Sequence, residues 1–487
     1  MLSLRLTEVI CCAGLLIYLL PVFFYLQEPS RNALDQSHQN KRNVPISFPL
    51  PPPAANYNTS IPTVSLTSPS QEPSFVLFPG HSQDPLAFIP IPGPSNDFNS
   101  SRTPTSNGAD RNGCPSKALV MGYYPDWVSF TFPPEKIDFK RFDWIDFAFA
   151  VPNTKFALEW DEPQTAPKLL KRLVSLAHAA NTKVKLSIGG WTGSKHFSSA
   201  LSTDQKRRTL VNNIASFYKT YDLDGIDIDW EYPGHKGAPG NTVNSNDSAN
   251  FLSFLKLLRS VLPAPARLSA AVETVPFTNS EGNPSMDVSG FAQVLDWVVL
   301  MNYDVWGSSS KPGPNAPFRD ACGNSTQPGA NAVAAYNSWT SAGFPPCKLV
   351  LGLPSYGYIS SSTAQRLRTR ADANTVKVIN DDGDSEGQIQ FRELVAQGAL
   401  VRSISGNTVT FTAGGGFERR WDSCSDTPFL RSTASRQVIT YDDLESLNMK
   451  AAFAKRVGML GINFFDIHGD TDQWDLVATI RKSMALP

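Results

Sequence analysis

The sequence predicts an α/β protein, a (β/α)8 barrel with a small α+β insertion between its seventh strand and seventh helix. The first observation is that eight short apolar segments between residues 119 and 466 alternate with helical segments. Such alternation predicts parallel strands joined by helices, and a set of eight favours closure into a barrel. The second observation is that no glycine-rich phosphate loop follows the first strand, which argues against an open doubly wound sheet. The third is that aromatic and acidic residues gather at the strand ends, where barrels place their binding sites.

The predicted elements follow one another along the chain with short connections. The strands cover residues 119–124, 144–151, 184–189, 225–231, 268–273, 297–303, 349–353 and 461–466. Helical runs between them cover residues 167–180, 203–221, 248–261 and 330–341. Residues 359–442 are glycine-rich, polar and strand-like, and they form the predicted insertion.

The N-terminal segment is expected to direct the chain into the secretory pathway. Residues 9–26 are an apolar run behind a short stretch that carries Arg5. The run is longer than the core of a typical signal peptide and just long enough to span a bilayer. Because no small-x-small cleavage site follows, residues 1–29 are predicted to be an uncleaved signal anchor, with a cleaved signal peptide as the alternative. The protein is therefore expected at the cell surface, membrane-anchored or secreted.

The next segment, residues 30–113, is rich in Pro, Ser, Asn and Thr and shows no apolar period. This composition predicts a disordered stalk that precedes a barrel of residues 114–487. Asn-x-Ser/Thr sequons predict a glycoprotein, and they begin at Asn58, Asn99, Asn246 and Asn324.

The cysteines outside the apolar run are even in number, which predicts one or two disulfides in an oxidising compartment. They are Cys114, Cys322, Cys347 and Cys424, and the sequence does not choose among the three possible pairings.

Composition excludes several classes of partner. The net charge of −1 and the pI of about 6.6 give no electrostatic reason to expect nucleic acid. The six histidines form no His-Glu-x-x-His pattern and no Cys-x-x-Cys is present, so neither a metal nor another cofactor is expected. We expect a monomer that contacts the membrane only through residues 1–29, if these are not cleaved.

The fourth predicted strand carries an unusual row of acids. Four acids fall within eight residues, and Asp227, Asp229 and Glu231 alternate with apolar side chains. Alternate residues of a strand share a face, so these three carboxyl groups are predicted to lie on one row. Carboxyl groups that lie so near one another favour a shared proton and a raised pKa in one of them. A carboxyl group that stays protonated near neutral pH is suited to act as a general acid. A calcium loop is the alternative, but the glycine and glutamate positions of an EF-hand do not fit.

Together with Asp224, these acids resemble the D-x-x-D-x-D-x-E signature of glycoside hydrolase family 18, the chitinases and their relatives. Ser187-x-Gly189-Gly190 and Met301-x-Tyr303-Asp304 are similar to two further motifs of that family. The resemblance covers residues 117–474, and it implies a retaining chitinase that cleaves β-1,4 linkages of N-acetylglucosamine polymers.

The resemblance also implies residue roles. Glu231 would protonate the glycosidic oxygen, Asp229 would orient the substrate's acetamido group, Asp227 would share a proton with Asp229, and Tyr303 would donate to the acetamido oxygen. Asp224 faces the other side of the row and is expected to be structural. Substrate contacts are predicted for Tyr124, Phe149, Gly190, Trp191, Met301, Asp304, Tyr358 and Phe465.

Phe465 departs from the family pattern, which usually has Trp at this position beneath the cleaved sugar. The smaller ring predicts the same reaction with weaker binding at that subsite. The resemblance further implies non-proline cis peptides at Ala148–Phe149, Glu231–Tyr232 and Phe465–Asp466.

Two alternative functions remain open from the sequence. One is a sugar-binding lectin on the same barrel, although the terminal acid that lectins of this kind replace is present here as Glu231. The other is cleavage within the di-N-acetylglucosamine core of N-glycans, against which the reduced insertion argues weakly.

Overall fold

The computed structural model describes residues 117–160, 162–362, 364, 367 and 387–487. The predicted N-terminal anchor and stalk lie outside these residues. Within the described ranges, no helix combines the length and the apolar character needed to cross a membrane.

Eight parallel strands form a closed barrel, as predicted. Strand β1 pairs with both β2 and β8, which closes the sheet, and every other barrel strand pairs in parallel with its neighbours in the sequence. The strands are β1 Leu119–Pro125, β2 Trp144–Pro152, β3 Lys183–Gly189, β4 Gly225–Asp229, β5 Arg267–Val272, β6 Trp297–Leu300, β7 Leu349–Pro354 and β8 Gly461–Phe465. The predictions for β4 and β6 were too long at their carboxyl ends, by two and three residues.

Helices cover the outside of the barrel. The helix Ala166–Ala179 is typical, since its buried Leu169, Leu170 and Leu173 recur at helical spacing and face the strands. The other helices that surround the barrel are Phe197–Leu201, Asp204–Thr220, Asp247–Val261, Ser289–Ala292, Ala332–Ser341, Leu444–Arg456 and Asp475–Ser483. Side-chain caps begin several of them, for example the Asn331 Oδ1 atom, which accepts the N–H of Ala334 at 2.9 Å. Short 3-10 turns occur at Asp126–Val128, Pro134–Lys136, Phe139–Arg141, Gly193–His196, Pro346–Lys348 and Ile467–Gly469.

An α+β segment stands between β7 and the helix Leu444–Arg456. Its antiparallel sheet has the order Gln388–Gln390, Tyr356–Ser361, Gln437–Thr440, Thr427–Ser432 and Glu418–Asp422. A helix at Phe391–Ala396 and a hairpin of Leu400–Ser405 with Thr408–Ala413 complete it, while Leu158–Trp160 adds an antiparallel strand to β2. A disulfide between Cys322 and Cys424, with Cα atoms 5.2 Å apart, joins the loop after β6 to this segment, and Cys347 is disulfide-bonded as well.

Carboxylates tie strands together at the amino-terminal end of the barrel. Asp224, directly before β4, accepts the N–H of Val184 in β3 at 2.9 Å. Two other acids make the same kind of bond. Asp143, directly before β2, accepts the N–H of Val120 in β1 at 2.9 Å, and Asp296, directly before β6, accepts the N–H of Leu268 in β5 at 2.8 Å. Because Asp224 lies at the opposite end of β4 from Asp229, the structure gives it the structural role expected from the sequence.

The barrel interior is layered. Its amino-terminal layer is apolar and consists of Met121, Trp297, Val299, Val350 and Leu460. Above it lies a fully buried polar layer of Asp146, Lys185, Asp227, Ser269 and Asn463, in which every side chain is at most 1% exposed. The acids and aromatic rings of the candidate site lie beyond this polar layer, toward the carboxyl ends of the strands.

Candidate active site

Asp227 lies at the centre of the acidic cluster and is completely buried. Its Oδ2 atom accepts hydrogen bonds from the Tyr123 hydroxyl and from Ser187 Oγ, both at 2.8 Å. Its Oδ1 atom accepts one from Ser269 Oγ at 2.5 Å. These donors come from β1, β3 and β5, and together they stabilise negative charge on Asp227.

Asp229 follows on the same face of β4 and is 4% exposed. Its backbone oxygen accepts the N–H of Gly190 at 2.8 Å and the hydroxyl of Ser194 at 3.2 Å. The backbone of this acid is therefore fixed against the end of β3, while its side chain lies on the same face of β4 as that of Asp227.

Glu231 lies just past the end of β4, where the sequence had predicted a continuing strand. Its N–H donates to Ser194 Oγ at 2.8 Å, and its carbonyl oxygen accepts from Asn241 Nδ2 at 3.1 Å. These side chains replace the ladder partners of a neighbouring strand, which explains why the strand ends at Asp229. Glu231 remains partly exposed, so its carboxyl group is accessible from the open end of the barrel.

Tyr232 lies close to three carboxylates, those of Glu231, Glu273 and Asp229. Burial raises the pKa of its hydroxyl well above the ordinary value, and the charges of Glu231, Glu273 and Asp229 raise it further. Glu273, directly after β5, also binds His235 Nε2 through Oε2 at 2.6 Å. Neither Glu273 nor His235 belongs to a recognisable sequence motif, because their contact joins two different loops.

The residues just after β6 form a second cluster. Asp304 Oδ1 accepts hydrogen bonds from the hydroxyls of Tyr356 and Tyr358 at 2.6 and 2.7 Å. The N–H of Asp304 donates to Asn315 Oδ1 at 2.8 Å, which fixes its backbone. Tyr358, predicted to touch substrate, is 2% exposed, so its main visible role is to orient Asp304.

Tyr303 joins this cluster to the acids. Its ring stacks on that of Phe465, with centroids 5.8 Å apart. Its charge is among the influences that raise the pKa of Tyr123, after burial and the charges of Asp227, Asp146 and Asp229. Tyr303 and Phe465 therefore lie near Tyr123, whose hydroxyl donates to Asp227.

The end of β3 forms another wall. Gly190 has φ +81°, and a Cβ atom there would lie 2.9 Å from the ring of Phe149. The Phe149 ring stacks on Trp127 at 6.1 Å, and the partly exposed Trp191 meets Tyr232 edge-on at 6.4 Å. Met301, just after β6, is also partly exposed, and its N–H donates to Val272 O at 2.9 Å.

Tyr124 is not brought into the site. Its side chain is fully buried among the helices, and its hydroxyl donates to the carbonyl oxygen of Phe132 at 2.9 Å. Adjacent residues of a strand point to opposite faces, so Tyr123 is the tyrosine that enters the barrel and reaches Asp227. The predicted contact of Tyr124 with substrate is therefore replaced by an internal role for Tyr123.

The sequence profile of glycosyl hydrolases family 18 matches residues 119–470, a range that includes all of these side chains. The chain belongs to glycosyl hydrolase family 18. The three non-proline cis peptides expected from that resemblance, Ala148–Phe149, Glu231–Tyr232 and Phe465–Asp466, are all present.

Known members of family 18 resemble this chain over most of its length. A chitinase-like effector of Moniliophthora roreri is 35% identical over 394 residues, which cover 76% of this chain and 91% of the relative. Chitotriosidase-1 of Mus musculus is 27% identical, covering 76% of this chain and 79% of the relative. The crystal structure of a chitinase from Rhizomucor miehei has 29% identity and a TM-score of 0.61, covering 75% of this chain and 99% of that protein.

Proposed function

We propose that this family 18 protein is a chitinase that hydrolyses β-1,4 linkages between N-acetylglucosamine units with retention of configuration. The observation that carries the proposal is the placement of an intact, partly exposed Glu231 directly beyond Asp229 and the buried Asp227. A glutamate there supplies the general acid, and the acids below it control the proton that the reaction needs.

The proposed reaction uses the substrate's own amide. Glu231 donates its proton to the glycosidic oxygen as the bond to the anomeric carbon breaks, while the acetamido carbonyl oxygen attacks that carbon and forms an oxazolinium ion. The carboxyl group of Asp229 accepts a hydrogen bond from the acetamido N–H, and the hydroxyl of Tyr303 donates a hydrogen bond to the acetamido oxygen. Water then attacks the anomeric carbon and gives a proton back to Glu231. This path is the substrate-assisted exception to the usual two-carboxylate scheme of glycosidases.

The test compares the wild type with Glu231→Gln on soluble N-acetylglucosamine oligomers. Loss of a general acid is expected to slow release of shorter oligomers by about 10²–10⁴-fold. Glu281→Gln, the same change at an exposed turn, serves as the matched control and is expected to leave the rate unchanged. Equal rates for the wild type and Glu231→Gln would contradict the proposed role of Glu231.

A binding protein without hydrolysis is the second candidate, favoured by the relative described as a chitinase-like effector. It would bind N-acetylglucosamine oligomers in calorimetry, and the wild type would release no products. Cleavage of a glycoprotein in preference to chitin would indicate instead an enzyme of N-glycans.

We also propose that the protein enters the secretory pathway and is anchored by residues 1–29, or released if these are cleaved, and that it acts as a monomer on chitin. N-terminal sequencing of the mature protein tests cleavage, and light scattering of the purified protein tests its oligomeric state.

A further inference from the structure

A buried ion pair lies in the polar layer directly beneath the acids. Lys185 Nζ lies 3.0 Å from Asp146 Oδ1, and both side chains are completely buried. Asn463 Nδ2 donates to the other oxygen of Asp146 at 2.9 Å. The steps of the proposed reaction do not use this pair, although burying two charges is costly.

Contact with solvent from below is blocked by the apolar layer. Trp297 lies in this layer, and its ring faces Lys185 with Nζ 4.6 Å from the ring centroid. A charge enclosed in this way is poorly screened, and its field acts on the nearest ionisable groups.

The nearest such group above the pair is Asp227. Lys185 Nζ lies 3.8 Å from Asp227 Oδ1. Lys185 also donates a hydrogen bond to Ser269 Oγ, and that hydroxyl donates in turn to Asp227 Oδ1. The positive charge is thus linked to the carboxylate both directly and through one hydroxyl.

We infer that Lys185 and Asp146 are positioning residues that set how the proton is distributed between Asp227 and Asp229. This inference rests on the proposed function and deepens it. Lys185 favours negative charge on Asp227, so the shared proton stays with Asp229, next to the substrate. Asp146 opposes this effect by neutralising Lys185.

The ionisable groups around Asp227 come from several elements. They are Tyr123 of β1, Asp146 of β2, Lys185 of β3, Asp229 of β4 and Tyr303 after β6. Burial raises the pKa of Asp146 to about 6, while Lys185 lowers it and Asp227 raises it. As the pH falls through this value Asp146 loses its charge, and Lys185 then acts on Asp227 alone.

The test is a double-mutant cycle read by the pH dependence of kcat/KM on a 4-nitrophenyl glycoside of an N-acetylglucosamine oligomer. Lys185→Met is expected to move the profile to higher pH by about 1–3 units, since a cation within 4 Å no longer stabilises the anion. Asp146→Asn is expected to move the alkaline limb to lower pH, because above about pH 6 it removes a negative charge. The double variant removes both charges and is expected to return the profile toward the wild type.

Opposite shifts that cancel in the double variant would support the inference. Shifts in the same direction, or a uniform loss of rate with an unmoved profile, would overturn it in favour of a packing role. If Lys185→Met does not fold, Asp146→Asn and the double variant carry the comparison.

A wild type without hydrolysis would contradict the proposed function and leave this inference measurable. The same variants are then compared by calorimetric binding of tri-N-acetylchitotriose across pH. The apparent pKa of binding is expected to move in the same opposite directions, and an unmoved value would overturn the inference.

Discussion

The ring of Phe465 stacks on the ring of Tyr303, with centroids 5.8 Å apart and planes inclined by 28°. Phe465 also contacts the rings of Tyr123 at 5.4 Å and Tyr356 at 6.3 Å. Aromatic side chains from β1 and β8 and from the residues just after β6 and β7 therefore meet at one point, around the ring of Phe465. This point is where the family resemblance places the floor under the cleaved sugar.

The size of the ring at position 465 is expected to set the affinity of that floor. Phe465→Trp adds apolar area and is expected to strengthen binding of a N-acetylglucosamine trimer by about 1 kcal/mol, or roughly fivefold in Kd. Phe465→Leu is expected to weaken it by a similar factor. Calorimetry measures both, with Phe464→Leu as the control, because Phe464 is fully buried in the core on the opposite face of β8. Equal affinities for all variants would show that this ring does not contact the sugar.

Asp224 is part of the family signature, yet its contacts predict a defect in stability and not in chemistry. Its carboxylate accepts from Val184 N, Lys183 Nζ and His178 Nε2 at 2.9, 2.8 and 2.7 Å. Asp224→Ala leaves the Val184 N–H unpaired and is expected to lower the free energy of unfolding by about 1.5–3 kcal/mol. The kcat of the folded protein is expected to stay unchanged.

The pH dependence checks this interpretation of Asp224. Burial acts to raise its pKa, but the hydrogen bonds from Lys183, Val184 and His178 outweigh burial and lower the pKa. The stabilisation is therefore present above the ordinary value of about 4 and is lost as the pH falls through the lowered pKa. Denaturant unfolding of wild type and Asp224→Ala measures it, with the exposed Asp222→Asn as the control. A large loss of kcat at full stability would contradict a structural role.

The sequence predicted the barrel because each strand and helix carries its own local signal. Apolar runs of strand length alternate with segments such as Ala166–Ala179, whose buried residues repeat at helical spacing. The ends of β4 and β6 were predicted less well. There the backbone is held by side chains from elsewhere, as Ser194 holds Glu231, and such contacts leave no periodic signal.

The acids Asp227, Asp229 and Glu231 were predictable because they belong to one short motif. The groups that control them come from other strands and meet only when the barrel closes. Lys185 and Ser269 are examples, since they lie 84 positions apart in the sequence and are hydrogen-bonded. The strand that carries Tyr123 and Tyr124 was predicted, but the sequence does not show which of the two side chains enters the barrel. The predicted substrate contact of Tyr124 was wrong for this reason.

The contact between His235 and Glu273 predicts a pH-dependent contribution to stability. Burial acts to lower the pKa of His235, but the hydrogen bond and the charge of Glu273 outweigh burial and raise it. The stabilisation is present below the ordinary histidine value of about 6.5 and is lost as the pH rises through the raised pKa.

His235→Gln is expected to cost about 1–3 kcal/mol at pH 6 and less at alkaline pH. The cost includes leaving Glu273 without its partner. His235 binds the Oε2 atom of Glu273, and the buried Oε1 atom has no hydrogen bond within the described part of the chain. Thermal unfolding across pH measures the difference, and Glu273→Gln in the same background is expected to relieve part of it. A difference that does not vary with pH would show that His235 acts through packing on Tyr232, whose ring it stacks against at 5.1 Å.

Alanine substitutions at Gly190 and Gly240 distinguish the effect of a changed site wall from the effect of backbone strain. Both have positive φ, +81° and +89°, so an alanine at either position costs about 1 kcal/mol in backbone conformation. Only at position 190 would the new Cβ atom meet a side chain, the ring of Phe149 at 2.9 Å, whereas nothing lies within 4 Å of a Cβ at position 240. Gly190→Ala therefore displaces the Phe149 ring from Trp127 as well, and it is expected to reduce both stability and oligosaccharide affinity. Gly240→Ala is expected to reduce stability alone, and thermal unfolding together with calorimetric binding of the N-acetylglucosamine trimer distinguishes the two. Unchanged affinity in Gly190→Ala would show that the wall formed by Phe149 and Trp127 does not touch the ligand.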